Sequence, residues 1–153
     1  MSDNYYNNKH IESVLAERDE IMVSTSGISM YPMLRHRRDM IVLTKVQRPL
    51  KKYDVPLYRK QSGKLVLHRI LKVTKNGYII RGDNLFHKEY DITDENIIAM
   101  LKGFYRNGKY YECNTHIGYK IYIRINRYTF YLRLLWSKYL RPFLSKVKHS
   151  ILK

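Results

Sequence analysis

Apolar residues along this chain recur at two periods, and the change of period divides it. Ile11, Val14 and Leu15 fall three and four residues apart. This spacing predicts a short amphipathic helix over His10–Glu20, with Asn8 as a candidate N-cap. Strand-like segments follow: Ile21–Ser24, the Ile/Val-rich Met40–Val46, Val55–Lys60, and the alternating Leu65–Val73. In the last, Leu65, Leu67, Arg69, Leu71 and Val73 share one face, and Val66, His68, Ile70 and Lys72 the other. Pro56 cannot donate to a ladder, which predicts an edge position for its strand. Asn76-Gly77 and Asn107-Gly108 are hairpin turn pairs. They join Leu65–Val73 to Tyr78–Arg81, and Ile97–Arg106 to Lys109–Cys113. Many short strands joined by such turns predict an all-β sandwich or barrel.

The period then lengthens. Tyr128, Leu132, Leu135, Tyr139, Phe143 and Val147 recur at helical spacing, with Arg127, Arg133, Lys138, Arg141 and Lys148 mainly on the other side. This predicts an amphipathic helix over Arg127–Lys153, kinked or divided at Pro142. The expected division is a β domain with its N-terminal helix at 1–118 and a basic helical extension at 119–153.

Composition narrows the class. A length of 153 residues with 44% hydrophobic content suits one domain with a real core and argues against bulk disorder. The net charge of +16 predicts an anionic partner. Acids are missing altogether after Glu112. The basic stripe therefore suits packing on the domain or an anionic membrane surface. Its leucine and aromatic content is high for a nucleic-acid arm. One cysteine, Cys113, excludes an internal disulfide and fits a reducing compartment; it reads as a packing residue. The N-terminus lacks a secretory signal pattern, and no apolar run approaches the roughly 20 residues that span a bilayer. A cytoplasmic location, peripheral on the membrane, is the expectation. His10, His36, His87, His116 and His149 have no metal-ligand spacing, no phosphate-binding glycine loop occurs, and neither metal nor cofactor is expected.

Three segments carry candidate chemistry. Ser29 lies in Ser26-Gly27-Ile28-Ser29-Met30-Tyr31-Pro32, His68 in Leu67-His68-Arg69-Ile70, and Asp83 in Arg81-Gly82-Asp83-Asn84. A serine hydroxyl needs a base to remove its proton as it attacks a carbonyl, and imidazole titrates in the right range. Each residue also has a plainer reading, as a loop hydroxyl, a core histidine and a turn acid.

Taken together and in this order, the segments resemble those of signal peptidases and LexA-type self-cleaving repressors. The resemblance runs from about Ile21 to Gly108. It implies a coiled, mainly β catalytic domain and a serine endopeptidase acting on a signal-like, leader or precursor peptide. It implies Ser29 as nucleophile and His68 as base, as in the endoplasmic-reticulum type of signal peptidase. Asp83 would orient His68, with Asp91 as the second candidate. The Ser29 N–H would serve the oxyanion, and Met30 and Pro32 would shape the substrate groove. Gly27, two residues before the nucleophile, looks more like the LexA type. Arg38-Asp39 replaces the family's Gly-Asp. Lys72 shares the His68 face but stands roughly 13 Å along an extended strand, too far to replace it. The alternatives are a LexA-like self-cleaving protein, which would need more than the roughly 20 residues before Ile21 for a DNA-binding module, and a non-catalytic basic module that binds membranes or nucleic acid.

Overall fold

The computed structural model describes residues 8–142. Helix α1 (Asn8–Glu17) stops three residues before strand β1 (Glu20–Ser24), so the helix is shorter at its C-terminal end than its pattern suggests. Ile11 and Leu15, one turn apart, are its buried contacts with the core. The remaining strands are β2 (Met40–Thr44), β3 (Pro56–Arg59), β4 (Leu65–Leu67), β5 (Arg69–Thr74), β6 (Gly77–Arg81), β7 (Glu89–Ile92), β8 (Ile97–Arg106) and β9 (Lys109–Glu112). Helix α2 (Ile117–Leu135) follows and continues through a π turn at Trp136–Leu140.

The strands form two antiparallel sheets that do not close into a barrel. One runs β1-β2-β8-β3-β4 with β9 also on β8, and the other runs β5-β6-β7. The long strand β8 is the spine of the first sheet. Its alternation explains this: Ile97, Ala99 and Leu101 are buried, while Ile98, Met100 and Lys102 between them are not. The protein is thus mainly β, with a helix at each end of the described chain.

Three expectations change here. Pro56 does not mark an edge, because β3 lies between β8 and β4. It is the first residue of its strand, where a missing donor is tolerated, and its carbonyl accepts from the His68 N–H. The segment Leu65–Val73 is two strands, interrupted at His68, so that β4 joins the first sheet and β5 the second. Helix α2 begins ten residues before Arg127 and buries Tyr119, Asn126 and Phe130. Phe143, Val147 and Lys148 lie outside the described residues, as does the helix expected beyond Pro142.

Two apolar clusters fill the interior. The larger gathers α1, the first sheet, Met30, Met33 and Leu34 of the serine loop, Cys113 and Tyr119. The smaller gathers Leu50, Tyr58, Ile70, Tyr78, Ile80 and Ile97 from both sheets. Ile70 and Ile80 are fully buried, each worth about 1.5–3 kcal/mol relative to exposure. Cys113 is a free, buried thiol, and burial pushes its titration up to about 11.

Candidate active site

The serine loop is closed at its base. The Thr25 N–H donates to the Asp39 carbonyl, the Arg37 N–H to the Thr25 carbonyl, and the Thr25 hydroxyl to Arg35 and Asp39 carbonyls. The Asp39 carboxylate, almost fully buried, takes the Arg35 N–H and the Arg106 guanidinium. Burial alone would raise its pKa; the bonds from Arg106 and Arg35 outweigh burial and hold it low. Arg106 also donates to the Met33 carbonyl. Within the loop, Gly27 has φ +82°, a left-handed conformation that L side chains rarely adopt, and its N–H donates to His36 Nδ1. The Ser29 N–H has no acceptor among the described residues, which leaves it available to an oxyanion.

His68 stands at the break between β4 and β5, only 2% exposed. Its Nδ1 lies 3.0 Å from Glu89 Oε1 and 3.0 Å from the Tyr58 hydroxyl. Glu89 opens β7, with Ile80 of β6 opposite it. Lys60 holds its other oxygen at 2.9 Å. Burial would raise the Glu89 pKa, but hydrogen bonds from Lys60 and Tyr58 and the nearby imidazole lower it. Glu89 is therefore an ionised carboxylate that can only accept, so the His68 Nδ1 facing it carries the proton. The lone pair is then on Nε2, which is buried and has no hydrogen-bond partner among the described residues. Burial lowers the His68 pKa, with Glu89 opposing, so the imidazole is neutral at neutral pH.

Gly82 lies against both the imidazole and the serine loop. A Cβ placed on Gly82 would meet the Ser29 carbonyl oxygen at 2.7 Å and His68 Nε2 at 3.0 Å. No methyl fits at this position, and the Ser29 carbonyl and the free imidazole nitrogen both crowd it. Asn84 fixes the same approach, its N–H donating to the Ser29 carbonyl (2.8 Å) and its side-chain amide to the Ile28 carbonyl (3.2 Å). The two residues are brought together through backbone: Ser29 Oγ makes no hydrogen bond with Nε2.

Asp83 takes a different partner, though its charge still reaches His68. Its carboxylate forms a two-pronged pair with Arg69, Nε to Oδ1 at 2.9 Å and Nη2 to Oδ2 at 2.7 Å. Tyr122 of α2 donates to it as well. Arg69 also donates to the Tyr53 carbonyl, the Tyr119 hydroxyl and Met33 Sδ. The Arg of the His-Arg-Ile segment and the Asp of the Gly-Asp-Asn segment therefore pair with each other and tie the serine loop to α2. The acid on His68 is Glu89, not Asp83, and Asp91 is exposed. Met30 turns into the interior. Its side chain is buried in the core cluster and anchors the loop, whereas Pro32 is exposed. Lys72 is exposed on β5.

The pattern missed Tyr58, Lys60 and Glu89. Glu89 was visible as one of few acids after His68, but its strand, Glu-Tyr-Asp-Ile, has no apolar alternation to reveal it. A shallow depression on the first sheet, lined by Glu20, Ile21, Met22, Val42, Lys102, Tyr105 and Tyr110, includes none of these residues. Among the described residues no cluster of His, Cys, Asp and Glu is arranged to hold a metal ion. No family model, curated protein or solved structure matches the chain.

Proposed function

We propose that the protein is a serine endopeptidase that cleaves a signal-like, leader or precursor peptide, with Ser29 as nucleophile, His68 as base and Glu89 as the orienting acid. One observation carries the reading. A buried imidazole has its Nδ1 taken by an ionised carboxylate and a tyrosine, while its unpaired Nε2 lies at the Gly82 turn, close to the backbone of a loop serine. A structural histidine is normally satisfied at both nitrogens. Here the unsatisfied one is the one a base would use.

Ser29 Oγ attacks the scissile carbonyl as Nε2 takes its proton. The Ser29 N–H stabilises the resulting oxyanion. Nε2 then protonates the departing amine, leaving an acyl ester on Ser29. A water gives a proton to Nε2 as it attacks that ester, and the proton returns to Ser29 Oγ as the acid product leaves. Glu89 stabilises the imidazolium in both halves. The substrate lies extended along β1, an edge strand that leads directly into the serine loop.

The contrary reading, a non-catalytic basic module, draws on the missing Oγ–Nε2 hydrogen bond. A fluorophosphonate probe separates the two. The wild-type chain is expected to label at Ser29, and Ser29→Ala and His68→Ala are expected to lose both labelling and turnover of a precursor-peptide library while still unfolding cooperatively. Turnover by folded Ser29→Ala would rule out Ser29 as the nucleophile.

A further inference from the structure

Helix α2 presents three different faces. Tyr119, Tyr122, Asn126, Phe130 and Arg133 turn inward, the last through hydrogen bonds to Asp83, Asn84 and Asn126. Opposite them, Ile117, Ile121, Ile125, Tyr128, Leu132 and Leu135, continued by Tyr139, recur at three and four residues and are 51–73% exposed. Lys120, Arg124, Arg127, Lys138 and Arg141 run along one flank of that stripe, all exposed.

Charge decides what covers the stripe. With no acid after Glu112, a second copy of α2 would bring cations against cations with nothing to pair them. Nucleic acid would be held by the cations and would leave the aliphatic stripe in water. No helix among the described residues is long and apolar enough to cross a membrane. An anionic bilayer surface meets both features: the aliphatic residues enter the acyl boundary, the cations reach headgroups, and Tyr128, Tyr139 and Trp136 suit the interface.

The inward face leads to the serine loop. Arg133 donates to the Asp83 carbonyl and the Asn84 side-chain oxygen, and Asn84 in turn holds the Ser29 and Ile28 carbonyls. We propose that α2 docks on an anionic lipid surface through its outward face, and that docking, by restraining α2, restrains the loop carrying Ser29. The second clause rests on the reading of Ser29 as nucleophile for its purpose; the first does not.

Trp136, the chain's single tryptophan, is half-exposed on this helix and reports docking. The full chain is titrated with vesicles of phosphatidylcholine alone and of phosphatidylcholine mixed with phosphatidylglycerol, following Trp136 emission and co-sedimentation. A blue shift and co-sedimentation are expected only with the mixed vesicles. Partitioning should weaken about tenfold or more in an Ile121→Glu/Leu132→Glu chain whose thermal unfolding is unchanged. Equal binding to neutral vesicles, no binding, or unimpaired binding by the double variant would overturn lipid docking. So would a lipid-free blue shift that grows with protein concentration alongside dimer sedimentation. For the second clause, hydrogen exchange of the Asn84 amide is expected to slow severalfold on mixed vesicles. Arg133→Leu should bind lipid equally and show no slowing. Unchanged exchange in the bound wild type would overturn the coupling. Failure of Ser29 to react with fluorophosphonate would sink the catalytic reading alone, because neither lipid binding nor amide exchange depends on it.

Discussion

At the scale of single residues, the site turns on which acid meets His68. Arg69 and Asp83 are adjacent to His68 and Gly82 in sequence, so their presence was legible; their mutual pairing was not. A guanidinium can satisfy a buried carboxylate through two parallel bonds, and Asp83 takes that partner in preference to an imidazole. Removing either partner leaves a buried charge alone. Arg69→Met is expected to cost about 3–5 kcal/mol in denaturant unfolding, and Arg69→Lys nearly as much, since lysine cannot form the fork. Glu89→Gln tests the other acid. It removes the negative charge that opposes the burial of His68, so the His68 pKa should fall further. The acid limb of kcat/KM then moves to lower pH, and kcat drops on the order of 10²-fold or more with little change in KM. An unshifted limb would show that Glu89 does not act through His68.

At the scale of elements, the telling feature is the interruption at His68. The sequence reads as one alternating strand, and alternation would put His68 and Arg69 on opposite faces, one of them outward. Passing from the first sheet to the second buries both, along with Ile70. That handover between sheets is a tertiary event and leaves no mark on the local pattern. It sets His68 between Tyr58 of one sheet and Glu89 of the other. The turn at Gly82 completes the approach. Gly82→Ala should force its methyl against the Ser29 carbonyl and the His68 ring. A stability loss of about 1–3 kcal/mol is expected, with a larger proportional loss of fluorophosphonate reactivity. Wild-type reactivity in that variant would mean that the serine loop moves freely.

At the scale of the whole molecule, α2 is part of the fold. An amphipathic C-terminal helix was legible, but the face it buries was not. Its conspicuous apolar stripe faces water, and the residues that dock it are a tyrosine pair, an asparagine, a phenylalanine and an arginine. These answer Asp83 and Arg81, whose guanidinium lies 3.5 Å over the Phe130 ring. Phe130→Ala should therefore cost about 3 kcal/mol, and a chain ending at Gly118 should unfold at much lower temperature. Stability should also carry a signature of His68. The unfolded chain's imidazole titrates near about 6.5, and burial puts the folded value lower. As pH falls below about 6.5 the unfolded state takes up the proton first, so stability declines until the folded imidazole also protonates. His68→Gln should lose that stretch of slope in urea midpoints. Superimposable pH profiles would contradict a depressed folded pKa.

The burial of Cys113 has a practical outcome for thiol chemistry. The only native sulfhydryl is shut inside the core and stays protonated until far above neutral pH. A Ser29→Cys chain would therefore carry a single alkylatable group, on a nearly silent background. Its reaction with iodoacetamide would titrate position 29 directly. If Nε2 draws the proton from that atom, the alkylation rate should inflect well below the roughly 8.5 of a free cysteine, and the added substitution His68→Ala should return it there.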